Sequence, residues 1–247
     1  MSNTTTRPAR TVLHKASDRG HANHGWLDAW HSFSFANWYN QERIHFGNLR
    51  VLNDDTIAPG MGFGTHPHDN MEIITLVTEG ALKHKDSMGH EGIIKAGEVQ
   101  VMSAGTGVQH SEFNPDPAHR SKLFQIWIFP RERGTKPRYD QITPDPKGRL
   151  NQFQQLVSPD PSDAGTWIGQ DAWIHLGEFE SSRTAEYAIK KEGNGVYALV
   201  VSGSATVNGH ALGKRDAIGV EGLEGLRIQA GNEGATLLLI DVPMELK

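Results

Sequence analysis

G-M-G-F-G-T-H-P-H-D-N-M-E-I, residues Gly60–Ile73, runs from a glycine-rich turn into two histidines spaced two apart, then into an apolar stretch. In an extended chain, residues i and i+2 share a face and lie roughly 6.5–7 Å apart along the backbone. His66 and His68 can therefore close on one ion. Pro67 favours extended geometry at His66 and removes a ladder donor, as an edge strand or bulge tolerates. Forty-two residues after His68, His110-Ser111-Glu112 repeats the spacing with one imidazole and one carboxylate, behind a turn at Gly105, Thr106 and Gly107. If the two strands face each other across a barrel, four side chains converge as three nitrogens and one oxygen. That set suits a divalent iron, manganese, cobalt, nickel, copper or zinc ion, with no soft ligand to choose among them. Three neutral imidazoles and one carboxylate leave one net positive charge. A six-coordinate ion would keep two positions for water, substrate or dioxygen, as Lewis-acid or oxygen chemistry requires.

The flanking sequence is β-rich. With 27 glycines and 12 prolines, the chain is punctuated too often for long amphipathic helices. Short strands are expected at Glu72–Val77, Glu98–Met102, Leu123–Phe129, Tyr197–Val201, Ala205–Val207 and Thr236–Val242, which points to an all-β sandwich or barrel. Asn208-Gly209 marks a tight hairpin turn. From about Gly134 to Gly165, five prolines and many polar residues suggest an interdomain connection with a short helix around Leu150–Val157, or else a long surface loop. The two sides of this segment are faintly alike. Ile74–Leu82 matches Ala198–Thr206, and K-A-G-E-V-Q-V-M (Lys95–Met102) matches G-K-R-D-A-I-G-V (Gly213–Val220). Each of the latter pair is a turn, an acid, then an apolar strand. Two copies of one β-barrel unit would follow.

Composition excludes several function classes. Hydrophobic residues make up 37%, charged residues 21%, and the net charge is −5 with both signs mixed along the chain. No basic run offers a footprint for nucleic acid or an anionic membrane surface. The chain has no cysteine, so disulfides, thiolate nucleophiles and Cys-ligated zinc are ruled out. No apolar run is long enough to span a bilayer as a helix, and Met1 to Arg10 lacks the apolar stretch of a signal peptide. A soluble, cytoplasmic protein is expected. Of the 13 histidines, most are isolated: His14, His21, His24, His31 and His45 in the N-terminal region, and His90, His119, His175 and His210 elsewhere. Solvated or structural roles suit these, although His24 and His31 lie near Trp26 and Trp30 and could line a cleft.

Gly60–Ile73 resembles the first cupin motif. His84–Ser87 (H-K-D-S) and Met102–Pro115 (M-S-A-G-T-G-V-Q-H-S-E-F-N-P) resemble the signature of pirin-like proteins, as does His24–Phe35 (H-G-W-L-D-A-W-H-S-F-S-F). The resemblance is specific over about residues 10–130 and weaker over 166–247. It implies a bicupin: an N-terminal cupin domain at 1–135 with the metal site, a Pro-rich linker at 136–165, and a degenerate C-terminal cupin domain at 166–247. It also implies His66, His68, His110 and Glu112 as ligands of one divalent ion, Fe(II) first, with Zn, Ni, Co, Mn or Cu as alternatives. The general cupin pattern places its glutamate soon after the first histidine pair. Here Glu72 is the nearest glutamate, and it would support the site rather than ligate. No H-x-H stands in the second half. Bacterial members of the family resemble quercetin 2,3-dioxygenases, which open a flavonol with O2 and release carbon monoxide. That implies a small phenolic substrate, with Glu112 as the base for its hydroxyl proton. Other members resemble non-catalytic regulators that bind a protein partner. An open pocket lined by apolar side chains at the metal would favour the enzyme, and a closed site beside an exposed patch would favour the regulator.

Overall fold

The computed structural model describes residues 8–246, and they form strands almost throughout. The first half is a sandwich of two sheets. A seven-stranded sheet runs in the order Arg138–Ile142, Val99–Ser103, Glu72–Glu79, Ser121–Ile128, Leu49–Ile57, Leu27–His31, Gly20–Asn23. A four-stranded sheet faces it in the order Gly62–His68, Val108–Phe113, Ala81–Asp86, Glu91–Lys95. The second half is one nine-stranded sheet folded on itself around the long strands Asn194–Val207 and Gly225–Pro243. Those strands bend where their mutual register shifts, at Val200/Ser202 and Gly203/Ala205. Gly203 and Gly234 adopt φ values of 70° and 78° there, and a Cβ on Gly203 would run into the Gly234 carbonyl oxygen. The all-β, two-unit expectation holds. No helix among the described residues is long and apolar enough to cross a membrane.

Burial on both faces explains why the expected strands read as near-continuous apolar runs. In Ser121–Ile128, Leu123 packs inside the first sandwich, and Gln125 and Trp127 line its cavity. Phe124, Ile126 and Ile128 point the other way, into a core shared with Leu156, Ile174, Tyr197, Leu238 and Ile240 of the second half. The seven-stranded sheet is thus the middle layer of the molecule, and such strands lose the polar/apolar alternation of a half-exposed sheet.

The faint repeat has a physical basis. Gly97 and Arg215 occupy equivalent turn positions with φ of 86° and 68°. The acid that follows each one bonds back to the turn. Glu98 accepts the Lys95 backbone N–H at 2.7 Å, and Asp216 accepts that of Gly213 at 3.0 Å. Arg215 is not a glycine, so its left-handed backbone must be compensated. Its guanidinium donates to Asp54 at 2.7 Å and lies 5.0 Å from the Phe124 ring centroid, linking the two halves. The Asn208-Gly209 turn forms as expected, with φ of 47° and 82° between the paired residues Val207 and His210.

The proline-rich segment departs from expectation. Arg138–Ile142 adds an edge to the first half by pairing with Val99–Ser103. The helix expected around Leu150–Val157 is instead the strand Phe153–Ser158, after one 3-10 turn at Pro146–Arg149. Pairing with Trp173–Phe179 and burial of Leu156 and Val157 in the shared core override the local pattern. The N-terminal strand Arg10–His14 crosses to the second half and pairs with Ala217–Glu221.

His14 anchors that crossing strand. It is buried, its Nδ1 lies 2.9 Å from the Tyr197 hydroxyl, and its ring packs between Phe33 and Tyr197. Burial, aided by Arg43, lowers its pKa to about 4. Between pH 6.5 and 4 the unfolded chain therefore binds a proton here that the folded chain does not, and stability falls as pH falls through this window. His14 should cost about 2 kcal/mol of stability between pH 7 and 5. Urea unfolding of the metal-free protein checks this. The His14→Gln profile should be shallower than the parent's over that range, and parallel profiles would contradict it.

Candidate metal centre

The two histidine strands do not face each other across a barrel. They are neighbours in the four-stranded sheet, antiparallel, with His110 directly opposite His66. Direct cross-strand neighbours sit about 4.5–5.5 Å apart, whereas facing sheets are about 10 Å apart. Adjacency therefore delivers the tighter cluster. Ring centroids are 4.4 Å apart for His66–His110 and 4.9 Å for both His66–His68 and His68–His110. One nitrogen from each of the three rings lies within 4.8 Å of the others.

A bulge shapes the site. The register shifts between His110, opposite His66, and Glu112, opposite Phe63, so the Gly62–His68 strand carries one extra residue. Bulges re-aim side chains, and here the extra length falls at Gly64–Thr65. The Gly64 carbonyl accepts a hydrogen bond from His66 Nδ1 at 2.8 Å, leaving Nε2 as the free ligand atom. Gly62 packs directly against the Glu112–Phe113 backbone, where a Cβ would clash. A larger residue there would push the two ligand strands apart.

Glu112 sits one step deeper. It is 4% exposed, and both carboxylate oxygens accept from Gln125 Nε2 at 3.0 Å, so the middle sheet holds it from behind. Its oxygen groups within 4.8 Å with His110 and His84 rather than with the outer pair. His110 thus belongs to both clusters. Burial sets the charge states. The pKa of His68 falls to about 4 and that of His110 to about 2, each by desolvation first and then by neighbouring imidazoles. Desolvation lifts Glu112 to about 7 against the Gln125 hydrogen bond. At neutral pH the imidazoles at His68 and His110 are uncharged and their lone pairs are available.

Unpartnered buried atoms test whether these residues suit a metal. Both ring nitrogens of His110, Nδ1 of His84, Oδ1 of Asp55 and Oε1 of Gln125 are buried without a hydrogen-bond partner among the described residues. Each such atom costs about 1–3 kcal/mol if it stays unpaired. Few sites concentrate so many, and nitrogen lone pairs in a dry wall beside a carboxylate are what a borderline divalent ion takes up. The residues fit a metal.

The cluster opens into a cavity of about 180 Å³ with a largely apolar wall that includes Leu27, Phe35, Phe63, Ile73 and Trp127. Trp127 stands edge-on to His68 and to Phe35, with centroids 4.9 and 5.4 Å apart. His31, Asn53, Asp55 and Gln125 supply a polar corner, in which His31 Nδ1 lies 2.9 Å from Asn53 Oδ1. Burial, with help from Asp54 and Glu112, holds the Asp55 carboxyl well above the usual carboxylate range.

His31 lines the cleft as its tryptophan neighbours hinted, and His24 does not. Glu72 does not support the site. It faces the second half, accepting from Ser103 Oγ at 2.6 Å and packing against Gly169. His175 is buried in the second half beside Tyr187, 3.3 Å from its hydroxyl. Sequence reasoning did not assign roles to Asp55, Gln125 and Trp127. Their only signal was their inward register on strands whose other face was equally buried.

Two family models match the chain, Pirin over residues 12–128 and the Quercetinase C-terminal cupin domain over residues 155–242. The chain is 45% identical over 232 residues to the quercetin 2,3-dioxygenase of Escherichia coli K12, covering 94% of this chain and 98% of that one. It is 43% identical to a pirin-like protein of Caulobacter vibrioides over 90% of this chain and 95% of the relative. The crystal structure of bacterial pirin YhhW from E. coli in complex with nickel(II) superposes with a TM-score of 0.89 at 42% identity, covering 95% of this chain and 99% of that one. With its two cupin halves and a relative of this identity along nearly its whole length, the chain belongs to the pirin family and is an enzyme of the cupin dioxygenase type.

Proposed function

We propose that His66, His68, His110 and Glu112 hold one divalent transition-metal ion, Fe(II) in the cell, and that the enzyme uses it to cleave a flavonol such as quercetin with O2. The observation that carries this is the meeting of three close imidazoles with a buried carboxyl at the end of an apolar, aromatic-walled cavity. The names of the E. coli relative and of the nickel-bound pirin support the substrate class and the divalent ion. A cytoplasmic location belongs to the same proposal, and the absence of cysteine suits a reducing compartment. So does the division into units at 1–135 and 166–247, with the strand Arg10–His14 lent to the second unit and 136–165 contributing strands to both.

When bound, the ion supplies Lewis acidity toward the substrate's hydroxyl oxygen and a site for oxygen chemistry. The protein's own residues do the rest. Phe35, Phe63 and Trp127 pack against a flat aromatic ring and exclude water. Glu112 Oε takes the substrate's hydroxyl proton. A carboxylate in water is a poor base for a phenol, but this one is buried in the cavity wall, where no bulk water competes for its oxygens. Gln125 grips both Glu112 oxygens and fixes their direction. The cavity is smaller than the roughly 300–1,000 Å³ typical of ligand sites. The metal-binding end of a flavonol therefore enters first, and its remaining ring stays at the mouth.

Purified protein should contain about one ion per chain, removable by chelation. His66→Ala or His110→Ala should abolish binding at micromolar metal, whereas His175→Ala and His210→Ala should leave it intact. Elemental analysis decides, and equal loss in all four variants would place the site elsewhere. Glu112→Gln keeps size and one oxygen but removes the base. At saturating metal its oxygen uptake with quercetin should fall at least about 100-fold. Near-parental turnover with the site occupied would show that Glu112 is not the base.

A further inference from the structure

The H-K-D-S run at His84–Ser87 has no part in the chemistry above, yet it touches the centre of the site. His84 lies on the strand next to Val108–Phe113, directly opposite Glu112, and Asp86 lies opposite His110. His84 has no exposed surface. Its Nε2 lies 3.2 Å from Asp86 Oδ2. Asp86 is itself fixed: Oδ1 accepts the backbone N–H groups of Met88 and His90 at 2.8 and 3.0 Å, and Oδ2 lies 3.0 Å from His90 Nδ1. Tyr139 packs against the rings of both His84 and His90, with centroids 4.9 and 4.8 Å away. The carboxylate can only accept, so Nε2 of His84 carries the hydrogen. Nδ1 is then a lone pair, buried and without a partner. One ring nitrogen of His84 groups within 4.8 Å with one of His110 and a Glu112 oxygen, both nitrogens of His110 are also without partners among the described residues, and the His84 and His110 ring centroids are 5.3 Å apart.

A metal-bound histidine almost always donates its other ring N–H to an acceptor, which fixes its tautomer and aim. His66 has such an acceptor in the Gly64 carbonyl. His110 has none among the described residues; its 4.8 Å group holds His84 and Glu112, and with Glu112 on the ion the acceptor left there is His84. We propose that His84, pinned by Asp86, is the positioning residue for His110. It accepts the His110 N–H that faces away from the ion, so that metal, His110, His84 and Asp86 form one chain. This arrangement gives each of the three orphaned imidazole nitrogens a partner: one on the ion, and two in a single N–H···N bond. An ion held instead by His84, His110 and Glu112 would leave one His110 nitrogen unpaired.

This role depends on the metal centre proposed above, and the test separates the two. Co(II) affinity is measured by competition with a chromophoric chelator in the parent, His84→Phe, His84→Gln and Asp86→Asn, alongside urea unfolding of the metal-free proteins. His84→Phe should bind Co(II) about 10–100-fold more weakly. His84→Gln, whose amide oxygen can accept the same N–H, should recover most of that loss. Asp86→Asn should weaken binding too, because the His84 tautomer is no longer imposed, and it serves if His84→Phe does not fold. Proton NMR of the Co(II)-loaded parent should show an exchange-protected, hyperfine-shifted ring N–H that His84→Phe loses. Parental affinity in His84→Phe, or equal weakness in the Phe and Gln variants, would overturn the role of His84 while leaving the centre intact. A parent that binds no Co(II) would overturn the metal centre and this role with it.

Discussion

Everything at the functional site depends on one strand pairing, that of Gly62–His68 with Val108–Phe113 in the register that sets His66 opposite His110. A slip of one residue would turn every side chain of one strand to the other face. The register is held from both sides. Gly62 lets the backbones approach where a Cβ would clash, and the bulge beside Gly64 absorbs the extra residue that would otherwise carry Glu112 out of line. The middle sheet closes the site from behind, through the double hydrogen bond from Gln125 to Glu112.

The second half explains why that middle sheet can carry a polar site at all. Its outer face is buried against Tyr197, Leu238 and Ile240 rather than solvated. A sheet covered on both sides is stiff and dry. Dryness is what depresses His68 and His110 and lifts Glu112, so the second half shapes the charge states of the site. Its contacts are specific as well as apolar. Asp54 joins Arg19 and Arg215 at 3.3 and 2.7 Å, tying the N-terminal segment, the middle sheet and the second half at one point.

Much of this was legible in the residues. The i, i+2 pairs gave the cluster, the Asn208-Gly209 turn gave its hairpin, and the turn-acid-strand repeat gave two related units, because these are local patterns with local causes. What was hidden depends on partners distant in sequence. A short helix was expected around Leu150–Val157, and Phe153–Ser158 is a strand because Trp173–Phe179 pairs with it. Which strands neighbour one another cannot be read from the spacing of His66 and His110, so that the cluster lies within one sheet was not legible there. Glu72 was expected to serve the site, yet strand alternation turns it to the opposite face, toward Ser103 and Gly169. Asp55 and Gln125 gave no warning, since polar residues inside a two-sided strand stand out only once the cavity between the sheets is visible.

The proposed centre holds one ion through three imidazoles and one carboxylate from a single sheet. X-ray absorption spectroscopy of the Ni(II)-loaded protein tests it most directly, because imidazole rings add characteristic scattering beyond the coordinating nitrogen. A nitrogen/oxygen coordination shell with three imidazoles is expected, falling to two in His68→Ala. A shell with fewer than three imidazoles in the parent, or one unchanged in His68→Ala, would contradict it.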